Sequence, residues 1–191
     1  MANNPSKSPA FNNKIGIYNE TDSLQLATIW GPIGVEAVLA QMYPPEISLF
    51  FDNMDVVKAR AETIHYKGVL EFSGVNVSFA RDILANSLSI NSVNKKTVIS
   101  ALVQKAKDIQ EKYKTKNVPH YQEVIETLVE DDILRYGVDQ ALNLNWKLSL
   151  NPILPLGNLL YARDQMNVLF NTRFSSNMKK ENNFAFIDSQ N

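Results

Sequence analysis

The 191-residue chain contains no cysteine and only two histidines, His65 and His120. The missing thiol excludes disulfide bonds, thiolate metal sites and cysteine nucleophiles. Two histidines leave few side chains for a metal site or for a nucleophile paired with a base. The sequence also contains no HExxH motif, no phosphate-binding P-loop and no GxGxxG motif. We therefore expect neither a metal nor a cofactor, and most enzyme mechanisms lose a required group.

The charge balance is nearly even, with 19 Lys and Arg against 20 Asp and Glu, and the pI is near 6.1. A nucleic-acid partner usually requires a clustered basic face, so we expect none. No apolar run approaches the roughly 18 residues of a membrane-spanning helix. Residues 1–13 are polar and have no apolar core of the signal-peptide kind. We expect no membrane partner and, by elimination, a cytoplasmic protein.

Hydrophobic patterning in the first half indicates a strand–helix–strand unit. The predicted elements are a strand over 24–30, a short helix over 34–43, a longer helix to about residue 72 and a strand over 75–79. Pro44-Pro45 ends the short helix, because proline lacks the amide donor. Asp52 or Asn53 is expected to cap the longer helix, and Gly74 follows its last turn. The apolar stripe of this helix comprises Met54, Val57, Ala61, Ile64 and Gly68.

In the middle of the chain the apolar residues recur at helical spacing. Three helices are predicted, over 94–114, 119–136 and about 139–148, and strand patterns return at 159–162 and 167–174. The acidic run Glu130-Asp131-Asp132 is expected to be a solvated helix face, because neighbouring helical positions point about 100° apart. Trp30 and Trp146 are expected to lie in or near the core.

Several unusual residues converge in the segment Pro155-Leu156-Gly157-Asn158-Leu159-Leu160-Tyr161-Ala162-Arg163-Asp164. A carboxylate at the end of a strand can bind a planar guanidinium through two parallel hydrogen bonds, and Asp164 has this position. Asn158 would add a carbonyl or amide contact. The alternative is a solvated Arg163–Asp164 pair with Asn158 in a turn.

The pattern Pro-Leu-x-Asn-Leu-x-Tyr-x-Arg-Asp is similar to a motif of the arginine deiminases and the related amidinotransferases. Residues 15–20 (IGIYNE) and 49–52 (LFFD) resemble earlier parts of this family in the same order. The helical stretch from about 90 to 150 lies where arginine deiminases carry an inserted helical domain. The resemblance covers roughly residues 15–174.

The resemblance implies a partial α/β-propeller of the pentein type, with ββαβ blades around a central site, and an α/β (α+β) fold class. The expected division is a disordered leader (1–13), a first α/β blade (14–89), an inserted helical domain (90–151), the start of a second blade (152–174) and a polar tail (175–191). By the same resemblance Asp164 binds the substrate guanidinium, Asn158 holds its amino-acid end and Tyr161 packs against its side chain. Arg163 completes this substrate-binding set, with a structural rather than a catalytic part in it.

The sequence lacks residues that this family uses for catalysis, and this difference determines the activity that we expect. The family uses a late cysteine, a histidine and further acidic residues, all downstream of the Arg-Asp motif, whereas no cysteine or histidine follows Asp164 here. His65 and His120 do not match the catalytic histidine and are expected to have surface or packing roles. We therefore expect the N-terminal part of a guanidine-modifying enzyme, inactive as it stands, that binds arginine or another guanidino compound weakly; hydrolase or amidinotransferase parentage stays open.

Two alternatives remain. The chain could be a non-catalytic interaction or regulatory module that keeps part of the fold and self-associates, since a partial propeller leaves sheet edges and apolar faces uncovered. It could also be an unrelated α+β domain whose motifs match by chance.

Overall fold

The computed structural model describes residues 23–48, 50, 52–89, 91–114, 118–150, 166–169 and 172–175. This part of the chain has a mixed, mostly helical fold with a small parallel sheet. Its elements are β1 (Leu26–Ile29), α1 (Val35–Ala40), α2 (Pro45–Ser48), α3 (Val56–Phe72), β2 (Asn76–Phe79), α4 (Ala80–Ser87), α5 (Lys95–Tyr113), α6 (Tyr121–Tyr136), α7 (Val138–Asn145), a π-helical turn (Trp146–Leu150), β3 (Met166–Leu169) and β4 (Thr172–Ser175).

The predicted strand–helix–strand unit is confirmed. β1 and β2 pair in parallel, with Leu26 opposite Asn76 and Ile29 opposite Phe79, and α1 to α3 form the connection. Gly74, with φ +87°, lies between α3 and β2. This left-handed conformation is the one that glycine adopts without steric cost.

Three local features differ from the expectation. The N-cap of α3 is Asp55, whose Oδ1 accepts a hydrogen bond from Lys58 N at 3.0 Å, so the prediction of Asp52 or Asn53 was wrong. The side chain of Asp55 stands one residue before the first helical turn and can reach its free amides. Helix α1 ends at Ala40, before the proline pair, and Pro45 instead begins α2, because proline fits the first helical position. Helix α4 follows β2 directly and was not predicted.

The predicted helical stretch is confirmed as α5, α6 and α7. The Oδ1 atom of Asn94 caps α5 by accepting from the amides of Lys96 and Thr97 at 2.9 and 3.3 Å. Gly137, with φ +83°, ends α6 and precedes α7. The single alternating segment predicted over 167–174 is instead divided between two short strands, β3 and β4, which pair antiparallel.

One hydrophobic core joins the first unit to the helices. All six residues of α1 are buried, and α1 packs against α5 and α6. Fully buried members of this core include Val35, Val38, Leu39, Leu102, Ile125 and Leu128. A second cluster contains Trp30, which is 8% exposed, with Ala85, Leu144 and Leu148. The core prediction is confirmed for Trp30 and wrong for Trp146, which is 38% exposed on the π-helical turn.

The predicted strand over 159–162 lies outside the described residues. Within the described ranges, neither two-stranded sheet has a third strand. None of the described helices combines the length and apolar character needed to cross a membrane.

Candidate functional site

The residues predicted to bind a guanidinium, Asn158, Tyr161, Arg163 and Asp164, lie outside the described part of the chain. β3 begins at Met166, two residues after Asp164. The two histidines lie on the surface, as expected. His65 is exposed on α3, and His120 precedes α6 with its side chain 76% exposed.

A cluster of buried charges is the main polar feature of the described residues. Its charged members, each at most 5% exposed, are Glu36, Arg60, Arg81 and Asp132. Asp132 is at the centre: its Oδ1 accepts from Arg60 Nη2 at 2.8 Å and its Oδ2 accepts from Arg81 Nη2 at 2.6 Å. Asn145 Nδ2 donates a further hydrogen bond to Oδ2 at 2.9 Å. One carboxylate of α6 thus holds side chains from α3, α4 and α7.

The loop after β1 also accepts hydrogen bonds from both guanidinium groups. Arg81 Nη1 donates to the carbonyl oxygen of Pro32 at 2.7 Å, and Arg60 Nη1 donates to that of Ile33 at 2.8 Å. Gly34 lies directly against Arg81, and a Cβ added to this glycine would stand 2.1 Å from Arg81 Nη1. A glycine is therefore required here for close approach rather than for its backbone angles.

Glu36 supplies the second buried carboxylate of the cluster. Its Oε1 accepts from the indole of Trp30 at 3.3 Å and from the amide of Gly34 at 3.1 Å, and lies 3.7 Å from Arg81 Nε. Burial by itself lowers the pKa of Arg81, but the charges of Glu36 and Asp132 outweigh it and raise that pKa above its ordinary value. Two guanidinium groups and two carboxylates balance, so the buried cluster is electrically neutral.

A second ionic contact lies at the surface between α4 and α6. Arg135 donates two hydrogen bonds to Asp82, from Nε at 2.8 Å and from Nη2 at 2.6 Å. The hydroxyl of Tyr136 donates to the same carboxylate at 2.8 Å. Burial acts to raise the pKa of Asp82, but these hydrogen bonds overcome it and the pKa is lowered.

The acidic run on α6 requires a correction. Glu130 is half-exposed and pairs with Lys95, and Asp131 is 43% exposed beside Arg60. Asp132 is fully buried, so the prediction of a solvated face was wrong for this residue. Within the described ranges, three acidic or histidine side chains never group as a metal site would require.

An open cavity of about 630 Å³ lies between β1 and α3. Its walls are mainly apolar and include Ile29, Trp30 and Leu70, with Glu62 and Tyr66 as polar members. The cavity borders the charge cluster through Trp30 and Ile33, which bond Glu36 and Arg60, but none of the four charged members of the cluster lines it. The cluster thus ties α3, α4, α6 and α7 to the loop after β1.

The sequence does carry a signal for this cluster. Asp132 continues the buried stripe of α6 formed by Ile125, Leu128 and Val129, at spacings of three and four residues. A carboxylate on an apolar stripe needs a buried cation. The pattern alone leaves open which of the 19 basic residues provides it, because Arg60 and Arg81 are 72 and 51 residues away.

Comparison with known proteins adds no assignment: no protein-family model, no curated protein and no solved structure matches this chain.

Proposed function

We propose that the chain carries the guanidinium-binding part of a guanidine-modifying fold, of the kind found in arginine deiminases and amidinotransferases. The observation that carries this proposal is the ordered series of motifs that ends in Asn158, Tyr161 and Asp164. In this proposal Asp164 accepts two hydrogen bonds from a guanidinium, Tyr161 packs against the aliphatic part of the ligand and Asn158 contacts its amino-acid end. Arg163 supports the position of Asp164.

The arrangement of elements supports the proposal in outline. A parallel strand–helix–strand unit comes first, a helical stretch follows it, and strands return next to the Arg-Asp motif. The division into propeller blades belongs to the proposal. So does the absence of turnover: without a cysteine the chain has no thiolate to attack the guanidinium carbon, and no covalent thiouronium intermediate forms.

Calorimetric titration with arginine tests the binding. We expect weak binding that falls at least about tenfold in Asp164→Asn, because the amide lacks both the charge and the second acceptor. Asp108→Asn is the matched control, since Asp108 is an exposed carboxylate of α5 that contacts Gln104. Equal affinity of Asp164→Asn and the native chain would contradict the role of Asp164.

Ligand analogues separate the contributions of the other residues. Lysine, which has an ammonium group in place of the planar guanidinium, is expected to bind more weakly than arginine. Agmatine, the decarboxylated analogue, tests Asn158: Asn158→Ala is expected to weaken arginine binding and to leave agmatine binding unchanged. Citrulline or ornithine formation by the purified chain would contradict the proposed lack of turnover.

A non-catalytic interaction module is the second candidate. It is favoured by large apolar side chains on the surface, above all Phe72, which is 95% exposed, and Leu134, which is 86% exposed. The native chain is then expected to bind no guanidino compound while still associating with a protein partner.

A further inference from the structure

Helix α3 turns an apolar face to solvent. Its buried residues are Val56 and Arg60, whereas the helical members of the predicted apolar stripe lie on another side of the helix. The exposed stripe comprises Val57, Ala61, Ile64, Gly68 and Phe72. Val57 is 40%, Ile64 44% and Phe72 95% exposed. An apolar face along a 17-residue helix is typical of a surface that another helix covers.

We propose that this face binds the same face of a second copy of the chain, with the two α3 helices antiparallel about a twofold axis near Ile64. A twofold axis requires a self-complementary surface. About a point midway between Ile64 and His65, Val57 lies opposite Phe72 of the second copy, and Ala61 lies opposite Gly68. The inference depends only on described residues of α3 and is independent of guanidinium binding.

The order of side-chain sizes fits this arrangement. Ile64 meets its own copy at the axis, and on each side of the axis a small residue faces another small residue. An added Cβ at Gly68 has no neighbour within 4 Å, so the space next to this glycine is open. Small residues allow two helices to approach closely, and Phe72 covers Val57 at each end of the contact.

Charged residues on both sides of the stripe pair with each other within α3. Lys58 and Glu62 lie 3.8 Å apart on one side of the stripe, and Lys67 pairs with Glu71 on the other. Each of these charges is therefore already paired within its own helix. In the antiparallel arrangement Glu62 lies within about one helical turn of His65 of the second copy, which supplies an N–H donor for the carboxylate.

The area is sufficient for a reversible dimer. α3 is about 25 Å long, and a bare phenylalanine alone offers on the order of 200 Å². Two such faces bury roughly 1,000 Å², near the lower limit for a specific interface. A dimer that dissociates on dilution is therefore expected, in place of an obligate one.

Cysteine trapping tests the geometry with little background, since the native chain has no thiol. Ile64→Cys lies at the axis and is expected to form an intermolecular disulfide under mild oxidation. Val57→Cys alone is expected to form none, because its two copies lie about 22 Å apart along the helices. Mixed Val57→Cys and Phe72→Cys chains are expected to crosslink. Efficient crosslinking of Val57→Cys alone would overturn the antiparallel arrangement.

Sedimentation equilibrium over a concentration series tests the surface itself. Ile64→Arg is expected to raise the dimer dissociation constant at least about tenfold, because it places two charges at the axis. Ile83→Arg is the matched control: it replaces an isoleucine of α4 that is 52% exposed, and it leaves the dimer intact. A native chain that stays monomeric at all concentrations overturns the proposal, as does equal weakening of the dimer by both variants. If the monomer also protects α3 from chemical labelling, other residues of the same chain cover this face.

Discussion

The carboxylate of Asp132 lies 2.6 Å from the guanidinium of Arg81, and both side chains are fully buried. The contact joins α6 to α4 through two residues that are 51 positions apart in the chain. A buried ion pair adds little net stability compared with a well-packed apolar pair, because both charges lose their hydration. Removal of either partner leaves the other charge buried and unpaired, so the stability of the fold depends strongly on both residues.

Asp132→Asn is expected to destabilise the chain by about 3–5 kcal/mol, because it leaves buried guanidinium charge without its carboxylate. Asp131→Asn removes the adjacent carboxylate, which is 43% exposed and 3.5 Å from Arg60 Nε. The expected cost of this control is below about 1 kcal/mol. Urea unfolding followed by circular dichroism measures both values. Similar losses for the two variants would contradict the central role of Asp132.

Gly34→Ala is expected to destabilise the chain by about 1–3 kcal/mol, because the new methyl group overlaps the guanidinium of Arg81. Gly68→Ala is the matched control on α3, where the added Cβ meets open space. This change is expected to stabilise by roughly 0.5–1 kcal/mol, the difference in helix propensity. Thermal unfolding at low protein concentration compares the two, and a stabilised Gly34→Ala variant would disprove the close contact.

Acid stability is expected to depend on Asp82. The pKa of this group is lowered in the folded chain, chiefly by Arg135 and Tyr136 against the opposing effect of burial. Its charged form therefore contributes stability above the unfolded pKa of about 3.9, and this contribution is lost as the pH falls through the lower folded pKa. Asp82→Asn is expected to flatten the decline of unfolding free energy below pH 4.

Arg135→Gln provides the companion measurement. It retains the carboxylate but removes both guanidinium hydrogen bonds, so the acid-side decline is expected to flatten in this variant too. The double variant is expected to add little to either single change, because both act on one interaction. An unaltered pH dependence in the two single variants would show that the contact does not set acid stability.

Local signals predicted much of the fold. The helices predicted over 94–114 and 119–136 correspond to α5 and α6, and the strand predicted over 24–30 contains β1. Each of these signals acts within a few residues. The orientation of α3 is different: its apolar stripe predicted a buried face, but Arg60 on another side reaches the charge cluster and that side is buried instead.

The buried charge cluster was less predictable, because its contacts also depend on tertiary packing. Asp132 obtains its partners from α3, α4 and α7, and only the packed fold brings these side chains together. A burial pattern indicates that a charge needs a partner, whereas the identity of the partner is a tertiary property. The guanidinium-binding role of Asn158, Tyr161 and Asp164 stays a prediction from sequence.

Guanidinium geometry, rather than positive charge alone, is expected to hold the cluster. Arg81→Lys retains the charge, but a single ammonium group replaces the two Nη atoms that bond Pro32 O and Asp132 Oδ2. One buried acceptor then loses its donor, and the expected cost is about 1–3 kcal/mol. Arg135→Lys makes the same change at the Asp82 contact, where both side chains are about one-third exposed. Water replaces the lost donor there, and the expected cost is below about 1 kcal/mol. Urea unfolding of both variants measures the difference, and equal stability losses would indicate that charge alone is sufficient in the buried cluster.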